Sequence, residues 1–374
     1  MIRKSYNYEI RIRPLDYYFF GSEATFGNLE QQNYFAKTQL FPQQTTVIGM
    51  LRHLGYDKVD IGESFDASKS VQNLGYIKGI SAVYLIDHLG RPYMPGPLGK
   101  GGYQALQLQS AGKGVTRWNG RGWTATYQAP DYAAKEGWEQ HLVSGLSDPK
   151  KDHIPFDQVF QYFTKIGITK QVDECERKDG FYKQGLAKLG AGWSFSVLAD
   201  LDAELAGKLP ASSVMPFGAE KALFHLELKQ LNAAKSFGDL FPDSLWELDC
   251  PEGLDAALLW SDAWAPADIL QNLDFAVTDI RDFRYIRTPK QVKEFAKFYT
   301  HEDWQKYNQA QDHAAQQPNA HPAPVEQRLY KSGKYNLLAR GSLLYGKKTD
   351  LETLLDQAAF QTVGYNQYTI ISKL

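Results

Sequence analysis

The residues that follow the N-terminus alternate between apolar and polar, and this alternation constrains the fold more than any other feature. The apolar set is Tyr6, Tyr8, Ile10 and Ile12, and the polar set between them is Asn7, Glu9, Arg11 and Arg13. Successive side chains of a β-strand point to opposite faces of a sheet. The segment therefore predicts a strand with one apolar face and one polar, partly basic face, and Pro14 is expected to end it.

The overall composition is that of a packed globular protein with room for two domains. The chain has 374 residues, of which 43% are hydrophobic and 22% are charged. A net charge of −2 excludes a protein covered in positive charge, but it leaves room for a local basic groove. Cys175 and Cys250 are too few for a disulfide framework or a Cys-rich zinc site, so we expect free thiols. Since the sequence shows neither a signal peptide nor a membrane span, we expect a soluble, cytoplasmic protein.

A short helix is predicted to begin near Thr45 and Thr46 and to end at Gly55. Pro42 and the two threonines are start signals, an apolar stripe follows, and glycine is a common stop signal. Residues 36–56 contain no acidic residue, and they include Lys37 and Arg52. The first turn of a helix carries free N–H groups that bind phosphate, although the same residues also fit a surface helix with an ordinary threonine cap.

A longer acid-free stretch covers residues 88–130. It combines several glycines with basic and aromatic residues, among them Lys100, Arg117, Arg121, Trp118 and Trp123. Basic groups attract the phosphate backbone, and exposed aromatic rings stack on unpaired bases for about 1–3 kcal/mol each. This composition predicts a flexible RNA-binding insertion. A solvated glycine-rich insertion whose tryptophans pack onto the domain is the open alternative.

Two further segments have a biased composition. Residues 239–280 hold ten carboxylates and no Lys or Arg, so we expect this acidic block to face away from a polyanion, toward solvent or a protein partner. Residues 301–327 are rich in Gln, Ala, Asn, His and Pro, which predicts a long mobile loop. Deletion of Gln309–Val325 is expected to leave assembly intact.

Familiar catalytic motifs are missing. The sequence has no HExxH pair, no GxSxG elbow, no GxxxxGK[ST] loop and no GxGxxG that opens a helix after a strand. These absences favour a binding or scaffolding role over a hydrolase, nucleotidyltransferase or dehydrogenase, and a general acid/base site assembled from scattered residues stays open. We expect no catalytic residue, no metal site and no cofactor.

Seven sets of residues match one family in the same order. They are Arg13–Ser22, Leu40–Arg52, Gly90–Lys100, Lys165–Lys170 with Asp179–Leu201, Met215–Leu228, Arg340–Gly346 and Val363–Ile371. Together these segments resemble the RAMP superfamily of CRISPR RNA-binding subunits. Within that superfamily the chain is most similar to the family of the third subunit of the type III-B (Cmr) effector complex.

The resemblance implies an α+β fold with two ferredoxin-like (RRM-like) domains. The first would span residues 1–165 with the basic insertion at about 88–130. The second would span residues 166–374 with the acidic block and the long mobile loop. It further implies a subunit that is not an enzyme, caps the foot of the complex and holds the 5′ tag of the guide RNA. Its partners would be the large polymerase/cyclase subunit and the backbone RAMP subunit, and it would contact no membrane.

The expected RNA contacts follow from the matched segments and the basic stretches. They are Lys37, Thr45, Thr46, Gly49, Arg52, Lys100, Arg117, Arg121, Lys221, Arg340, Gly341 and Ser342. Lys221 stands where the family has arginine, which keeps the charge but loses the bidentate fork. Replacing Arg52 or Arg340 by alanine is expected to weaken guide-RNA retention without unfolding the protein.

Three alternatives stay open at this point. The first is a metal-independent RAMP endoribonuclease that processes precursor guide RNA, which a cleavage assay on repeat RNA would reveal. The second is the equivalent subunit of another type III complex. The third is a carbohydrate- or peptide-binding module that uses the surplus of Trp and Tyr. RNA binding would weaken steeply with salt because bound counterions are released, whereas sugar binding would not.

Overall fold

The computed structural model describes most of the chain. The described residues are 4–21, 35–63, 65–69, 72–97, 115–118, 123–126, 141–147, 152–173, 176–219, 222–242, 254–266, 273–287, 330–332 and 335–371. Strands dominate these residues and the helices are few and short. The fold is mixed α+β, as predicted. No helix among the described residues is long and apolar enough to span a membrane.

Fourteen strands precede residue 237. They are β1 (Ser5–Pro14), β2 (Phe35–Lys37), β3 (Ile77–Ile80), β4 (Tyr84–Ile86), β5 (Pro92–Pro95), β6 (Val115–Trp118), β7 (Trp123–Thr126), β8 (His141–Ser144), β9 (His153–Pro155), β10 (Phe160–Asp173), β11 (Glu176–Leu189), β12 (Ser194–Leu201), β13 (Ser212–Pro216) and β14 (Leu223–Ser236).

The remaining strands are shorter. They are β15 (Asp255–Leu259), β16 (Ala263–Trp264), β17 (Phe275–Val277), β18 (Ile280–Phe283), β19 (Ile286–Arg287), β20 (Tyr330–Lys331), β21 (Tyr335–Leu338), β22 (Leu343–Gly346) and β23 (Tyr368–Ile371). The helices are α1 (Gln44–Gly55), α2 (Phe156–Val159), α3 (Ala203–Ala206), α4 (Phe237–Leu240), α5 (Lys348–Leu355) and α6 (Ala358–Thr362).

A nine-stranded sheet forms the body of the molecule, in the order β13-β14-β1-β12-β4-β5-β8-β9, with β3 paired to β12. The predicted first strand is confirmed, and it lies in the middle of this sheet. Ile10 is opposite Val197 on one side and Leu228 on the other, both in antiparallel register. Both edges of β1 are thus paired, and its apolar face is buried, as the alternating pattern predicts.

Helix α1 covers the apolar face of β1. Val47, Ile48 and Leu51 of the helix join Ile10 and Ile12 in the largest hydrophobic core. The helix ends at Gly55 as predicted, but the predicted threonine cap is wrong.

The helix begins at Gln44, and its N-cap, Gln43, makes no side-chain capping bond. The Gln43 side chain instead donates to Gln39 and accepts from the hydroxyl of Tyr365. Thr45 and Thr46 therefore lie inside the first turn, where they cannot serve as the cap.

The opposite face of the large sheet packs against the C-terminal half of the chain. Tyr84 and Leu198 contact a second core that contains Ala256, Leu258 and Trp260. The C-terminal half contains a four-stranded sheet, β17-β22-β15-β23, and a three-stranded sheet, β16-β21-β18. Helix α5 packs its leucines on the four-stranded sheet.

Strands β10 and β11 form a hairpin that stays paired over all 14 residues of each strand. Near the base of the hairpin, β2 pairs with β11 in parallel register, so that Lys37 lies beside Gly185. Three exposed apolar residues, Tyr162, Phe163 and Ile166, lie on β10. The hairpin thus exposes Tyr162 and Ile166 on one face and Phe163 on the other.

The large sheet continues beyond the predicted domain boundary between residues 165 and 166. That boundary falls inside β10, and β12, β13 and β14 pair with β1 in the large sheet. The next strand after β14 is β15, which lies outside the large sheet. Two ferredoxin-like units therefore remain a prediction, and the boundary suggested by the sheets lies between residues 242 and 254.

Candidate nucleic-acid interface

A cavity of about 260 Å³ lies where the chain enters α1, at the base of the hairpin. The C-terminal half closes its other side. Its lining residues are Lys37, Thr38, Gln39, Leu40, Phe41, Pro95, Phe156, Tyr162, Arg281 and Arg340. Three of them are cations, and they come from β2, β18 and the turn after β21. The fold thus brings Lys37 close to two arginines that are more than 240 residues away from it in the chain.

Asp262 fixes the two arginines of the cavity. Its carboxylate is 1% exposed and accepts a bond from the backbone N–H of Arg340 at 2.9 Å. The guanidinium of Arg340 lies 3.4 Å from the same carboxylate through Nε, and Arg281 Nη1 lies 3.6 Å from it. Arg340 also stacks on Phe41, with Cζ 4.6 Å from the ring centroid. Both arginines are therefore held in place before any ligand arrives.

The arginines determine the charge state of Asp262. Burial alone would raise the pKa of this carboxyl, but the charges of Arg340 and Arg281 and the bonds from Arg340 lower the pKa below its ordinary value. Asp262 is thus a carboxylate at neutral pH. The cavity then combines three cations with one buried anion, which leaves an excess of positive charge to attract phosphate.

Lys37 lies over an aromatic ring that also lines the cavity. Its ammonium lies 5.9 Å from the ring centroid of Tyr162 across the base of the hairpin. Lys37 and Tyr162 are both exposed, Tyr162 at 54%. Burial of part of Tyr162, with a contribution from Asp157, raises its pKa, so the phenol is neutral and presents a flat ring for stacking.

The predicted group of Arg340, Gly341 and Ser342 is interior rather than exposed. Arg340 is 2% exposed and Ser342 is 0% exposed. Gly341 adopts a left-handed φ of 81° and donates its N–H to the carbonyl of Leu259 in β15, while the N–H of Ser342 donates to the carbonyl of Ala339 and closes the turn between β21 and β22. The expectation of a bare backbone and a hydroxyl available to RNA is therefore corrected for Gly341 and Ser342. Of the three, Arg340 alone lines the cavity.

Removing Arg340 would also disturb the fold, contrary to the sequence-based expectation. Asp262 would lose its closest cation while remaining buried, and breaking a buried pair in this way costs about 3–5 kcal/mol. Arg340→Ala is therefore a poor probe of RNA binding alone.

Arg52 lies at the other end of α1 from the cavity. Its guanidinium donates to the carbonyl of Gly62 at 3.3 Å and is partly buried. Burial lowers its pKa, an effect that Glu63 and Tyr76 partly offset. Gly49 is exposed, and a Cβ added there would meet no atom within 4 Å. The structure thus places Gly49 on an open face of the helix and does not bring Arg52 to the cavity.

Part of the predicted site lies outside what the structure describes. Lys100, Arg121 and Lys221 belong to undescribed segments, and so do both cysteines and the loop at 301–327. Arg117 lies in β6, whose backbone pairs with β7, and its side chain is not described. The role of the basic insertion thus stays a prediction.

The sequence analysis missed Arg281 and Tyr162, and it misjudged Asp262. The acidic block was expected to lie without counter-charges, yet Asp262 is an interior counter-ion for two arginines. Arg281 is the first cation after that block, which is the one local signal that pointed to it. Tyr162 carried no signal, because its position depends on the pairing of the hairpin with β2. Among the described residues, no group of three or more His, Cys, Asp or Glu side chains is placed to hold a metal ion.

Comparison with known protein families identifies the chain's relatives. The model of the CRISPR-associated protein (Cas_Cmr3) family matches residues 10–251, which is more than half of the chain. The chain belongs to this Cas_Cmr3 family. The matched region begins within β1, contains α1, the hairpin and the other strands of the large sheet, and ends before β15. Lys37 and Tyr162 thus lie inside the matched region, whereas Arg281 and Arg340 lie outside it.

Some solved structures contain chains that are similar to this one. A chain in the cryo-EM structure of the type III-B Cmr-beta bound to cognate target RNA is 12% identical, with a TM-score of 0.49 and 96% of each chain covered. A chain in the Cmr-beta structure bound to cognate target RNA and AMPPnP, state 1, is 14% identical. Its TM-score is 0.47, with 96% of this chain and 95% of that chain covered. A search of curated proteins finds no match.

Proposed function

We propose that the chain is a non-catalytic, RNA-binding subunit of a type III-B CRISPR ribonucleoprotein and that it holds the 5′ tag of the guide RNA. Membership of the Cas_Cmr3 family supports the setting. The observation that carries the RNA-binding role is the cavity lined by Lys37, Arg281 and Arg340. Three cations around one small cavity match the phosphate groups of a nucleic-acid strand.

The geometry supports a single strand rather than a duplex. A phosphate at the cavity would lie beside Tyr162, and the adjoining base could stack on that ring. Splayed bases that stack on aromatic rings are the usual mode of single-stranded RNA recognition. Guanidinium groups held by Asp262 would contact the phosphate without losing much side-chain entropy on binding.

The protein partners follow from the same proposal. The large polymerase/cyclase subunit and the backbone RAMP subunit would dock on surfaces away from the cavity. Asp274 and Asp279 of the acidic block are exposed and suit a protein partner better than RNA. A pull-down of each subunit with the Asp274→Asn/Asp279→Asn variant tests this assignment. The variant should recover less of one partner than the wild type does, and equal recovery would contradict the assignment.

The decisive experiment measures the affinity of fluorescent single-stranded tag RNA for variants of the cavity. Lys37→Gln is expected to weaken binding about tenfold, the value of one charge-assisted hydrogen bond to phosphate. Lys208→Gln removes one exposed positive charge from a residue that does not line the cavity, and it serves as the matched control. Equal affinities for the two variants would contradict the site.

A second pair of variants tests the stacking role of Tyr162. Tyr162→Ala is expected to cost about 1–3 kcal/mol of binding free energy, because a stacked base loses its platform. Tyr162→Phe keeps the ring and should bind like the wild type. Incubation of the same RNA without metal ions tests the non-catalytic assignment, and cleavage products would favour the endoribonuclease instead.

A further inference from the structure

A second cavity lies on the face of the large sheet opposite helix α1. It has a volume of about 190 Å³, comparable to about six water molecules, which suits a phosphate group and part of its sugar. The lining residues are Arg11, Arg13, Ile86, Asp87, His88, Gly192, Ser194, His225 and Glu227. The RNA-binding role proposed above uses none of them.

The register of the sheet explains why these side chains meet. Arg11 is opposite Glu227 and Arg13 is opposite His225 on β14, while Arg11 is opposite Ser196 on β12. Side chains directly opposite in antiparallel strands lie on the same face. Farther along this face the C-terminal half covers Leu198 and Tyr84. The polar face of the first strand is thus covered at one end and forms an open cavity at the other.

Both arginines of this cavity have donor groups that no acceptor among the described residues engages. Nε of Arg11 is buried and has no acceptor among the described residues, and Arg13 is exposed with no ion pair or hydrogen bond to any of them. His225 Nε2 is 2.9 Å from the hydroxyl of Ser212, but its Nδ1 is 3.7 Å from Glu227, which is too far for a hydrogen bond. The exposed guanidinium of Arg13 is therefore available to an anionic ligand, with Arg11 beside it in the lining of the cavity.

The carboxylates of the cavity do not cancel this positive character. Asp87 accepts bonds from the backbone N–H groups of Leu89 and Arg91 and pairs with the Arg91 side chain at 2.8 Å. Its charge is therefore already compensated. Glu227 is 52% exposed, so water screens it. Arg11 shares its charge with Glu9 at 3.2 Å, which leaves Arg13 as the principal cation for a ligand.

We propose that this second cavity is a phosphate-recognition pocket that binds the phosphate group of a nucleotide or of an RNA strand through Arg13 and Arg11. The pocket is separate from the one lined by Lys37, and it does not depend on the role proposed for that site. Guanidinium groups are the preferred protein partners of phosphate because their fork matches two of its oxygens.

Calorimetric titration of the full chain tests the pocket, in a Lys37→Gln/Arg281→Gln background that weakens binding at the first cavity. The probes are inorganic phosphate, 5′-AMP, adenosine and a six-nucleotide single-stranded RNA. Arg13→Gln is the test variant, and Lys208→Gln is the control with the same loss of charge. Since Arg13 is exposed and unpaired among the described residues, thermal unfolding of Arg13→Gln should match that of its parent.

The proposal expects Arg13→Gln to weaken binding of a phosphate-bearing probe at least about tenfold while Lys208→Gln does not. If Arg13→Gln loses binding of 5′-AMP and inorganic phosphate, the ligand of the pocket is a free nucleotide. If Arg13→Gln loses binding of the RNA alone, the ligand is an RNA strand. The proposal is overturned if no phosphate-bearing probe binds the parent, if adenosine binds as well as 5′-AMP, or if Arg13→Gln binds every probe like its parent. None of these outcomes bears on the Lys37 site, which its own variants test.

Discussion

Among single residues, Asp262 has the largest effect on the candidate interface. It lies in a segment without any Lys or Arg, yet the fold buries it against Arg340 from the end of the chain and Arg281 from just beyond the segment. Local sequence showed the charges but not their pairing, because the partner Arg340 is 78 residues away. The sequence therefore indicated Arg340 as a site residue but did not reveal its ion pair with Asp262.

Replacing Asp262 by asparagine should destabilise the protein by about 3–5 kcal/mol at neutral pH, since two arginines lose their buried counter-charge. Its folded pKa is lowered relative to the unfolded chain, so its stabilising effect is full above the unfolded value near pH 4 and is lost as pH falls through the folded value. The difference in unfolding free energy between the wild type and Asp262→Asn should therefore become smaller in acid. Urea titrations from pH 3 to pH 7 measure it.

The control for this prediction is Asp279→Asn, which removes the same charge from an exposed position of the same segment. A deficit of the same size in both variants at pH 7 would show that Asp262 is not the structural counter-ion described above.

At the scale of elements, α1 was largely predictable and its first residue was not. Its apolar stripe and Gly55 gave the body and the end of the helix to within a residue. The cap could not be foreseen, because the side chain of Gln43 is engaged by Tyr365, which is 322 residues away. The length of the hairpin and its pairing with β2 likewise depend on contacts between distant segments.

Two glycines of α1 should respond in opposite ways to the same substitution. Gly49→Ala should stabilise the protein by about 0.5–1 kcal/mol, because the position is open and alanine favours a helix. Gly55→Ala should destabilise it, because a Cβ there would lie 2.5 Å from Val59 and 3.0 Å from Tyr76. Thermal unfolding of both variants checks the pair.

The same variants also test the RNA contact predicted at Gly49. If the RNA backbone approaches this helix face closely, Gly49→Ala gives a more stable protein that binds tag RNA more weakly. Unchanged RNA affinity in the stabilised variant would remove Gly49 from the interface and leave the cavity site intact.

At the scale of the whole molecule, the two halves of the chain share one core. Phe360, Val363 and Tyr365 from the C-terminal end belong to the same hydrophobic cluster as β1 and α1. The amide of Gln44 donates to the carbonyls of Ser81 and Gly364 at 3.2 and 2.6 Å. Composition indicated two domains, but the return of β12–β14 to the first sheet could not be deduced from local patterns. Pairing of segments almost 200 residues apart is decided by the whole fold.

The shared core predicts a single unfolding transition, and Gly364 provides the test. Gly364 has a φ of 86°, and an added Cβ would lie 2.3 Å from the carbonyl oxygen of Ser81 and 2.7 Å from Gln44 Nε2. Gly364→Ala should therefore lower the stability of both halves together. Gly90→Ala has a similar φ of 82° but open space around it, so it should cost only about 1–2 kcal/mol of backbone strain. Separate transitions in calorimetry, with only one shifted by Gly364→Ala, would contradict the shared core.

The most direct test of the central claim is the salt dependence of tag-RNA binding. Counterion release gives a slope of log affinity against log salt of about −0.7 for each phosphate contacted in a single strand. If Lys37 and Arg281 contact phosphate, Lys37→Gln/Arg281→Gln should bind more weakly at low salt with a slope shallower by about 1.4. A slope equal to that of the wild type, with Lys208→Gln as control, would contradict the assignment of the cavity to the RNA backbone.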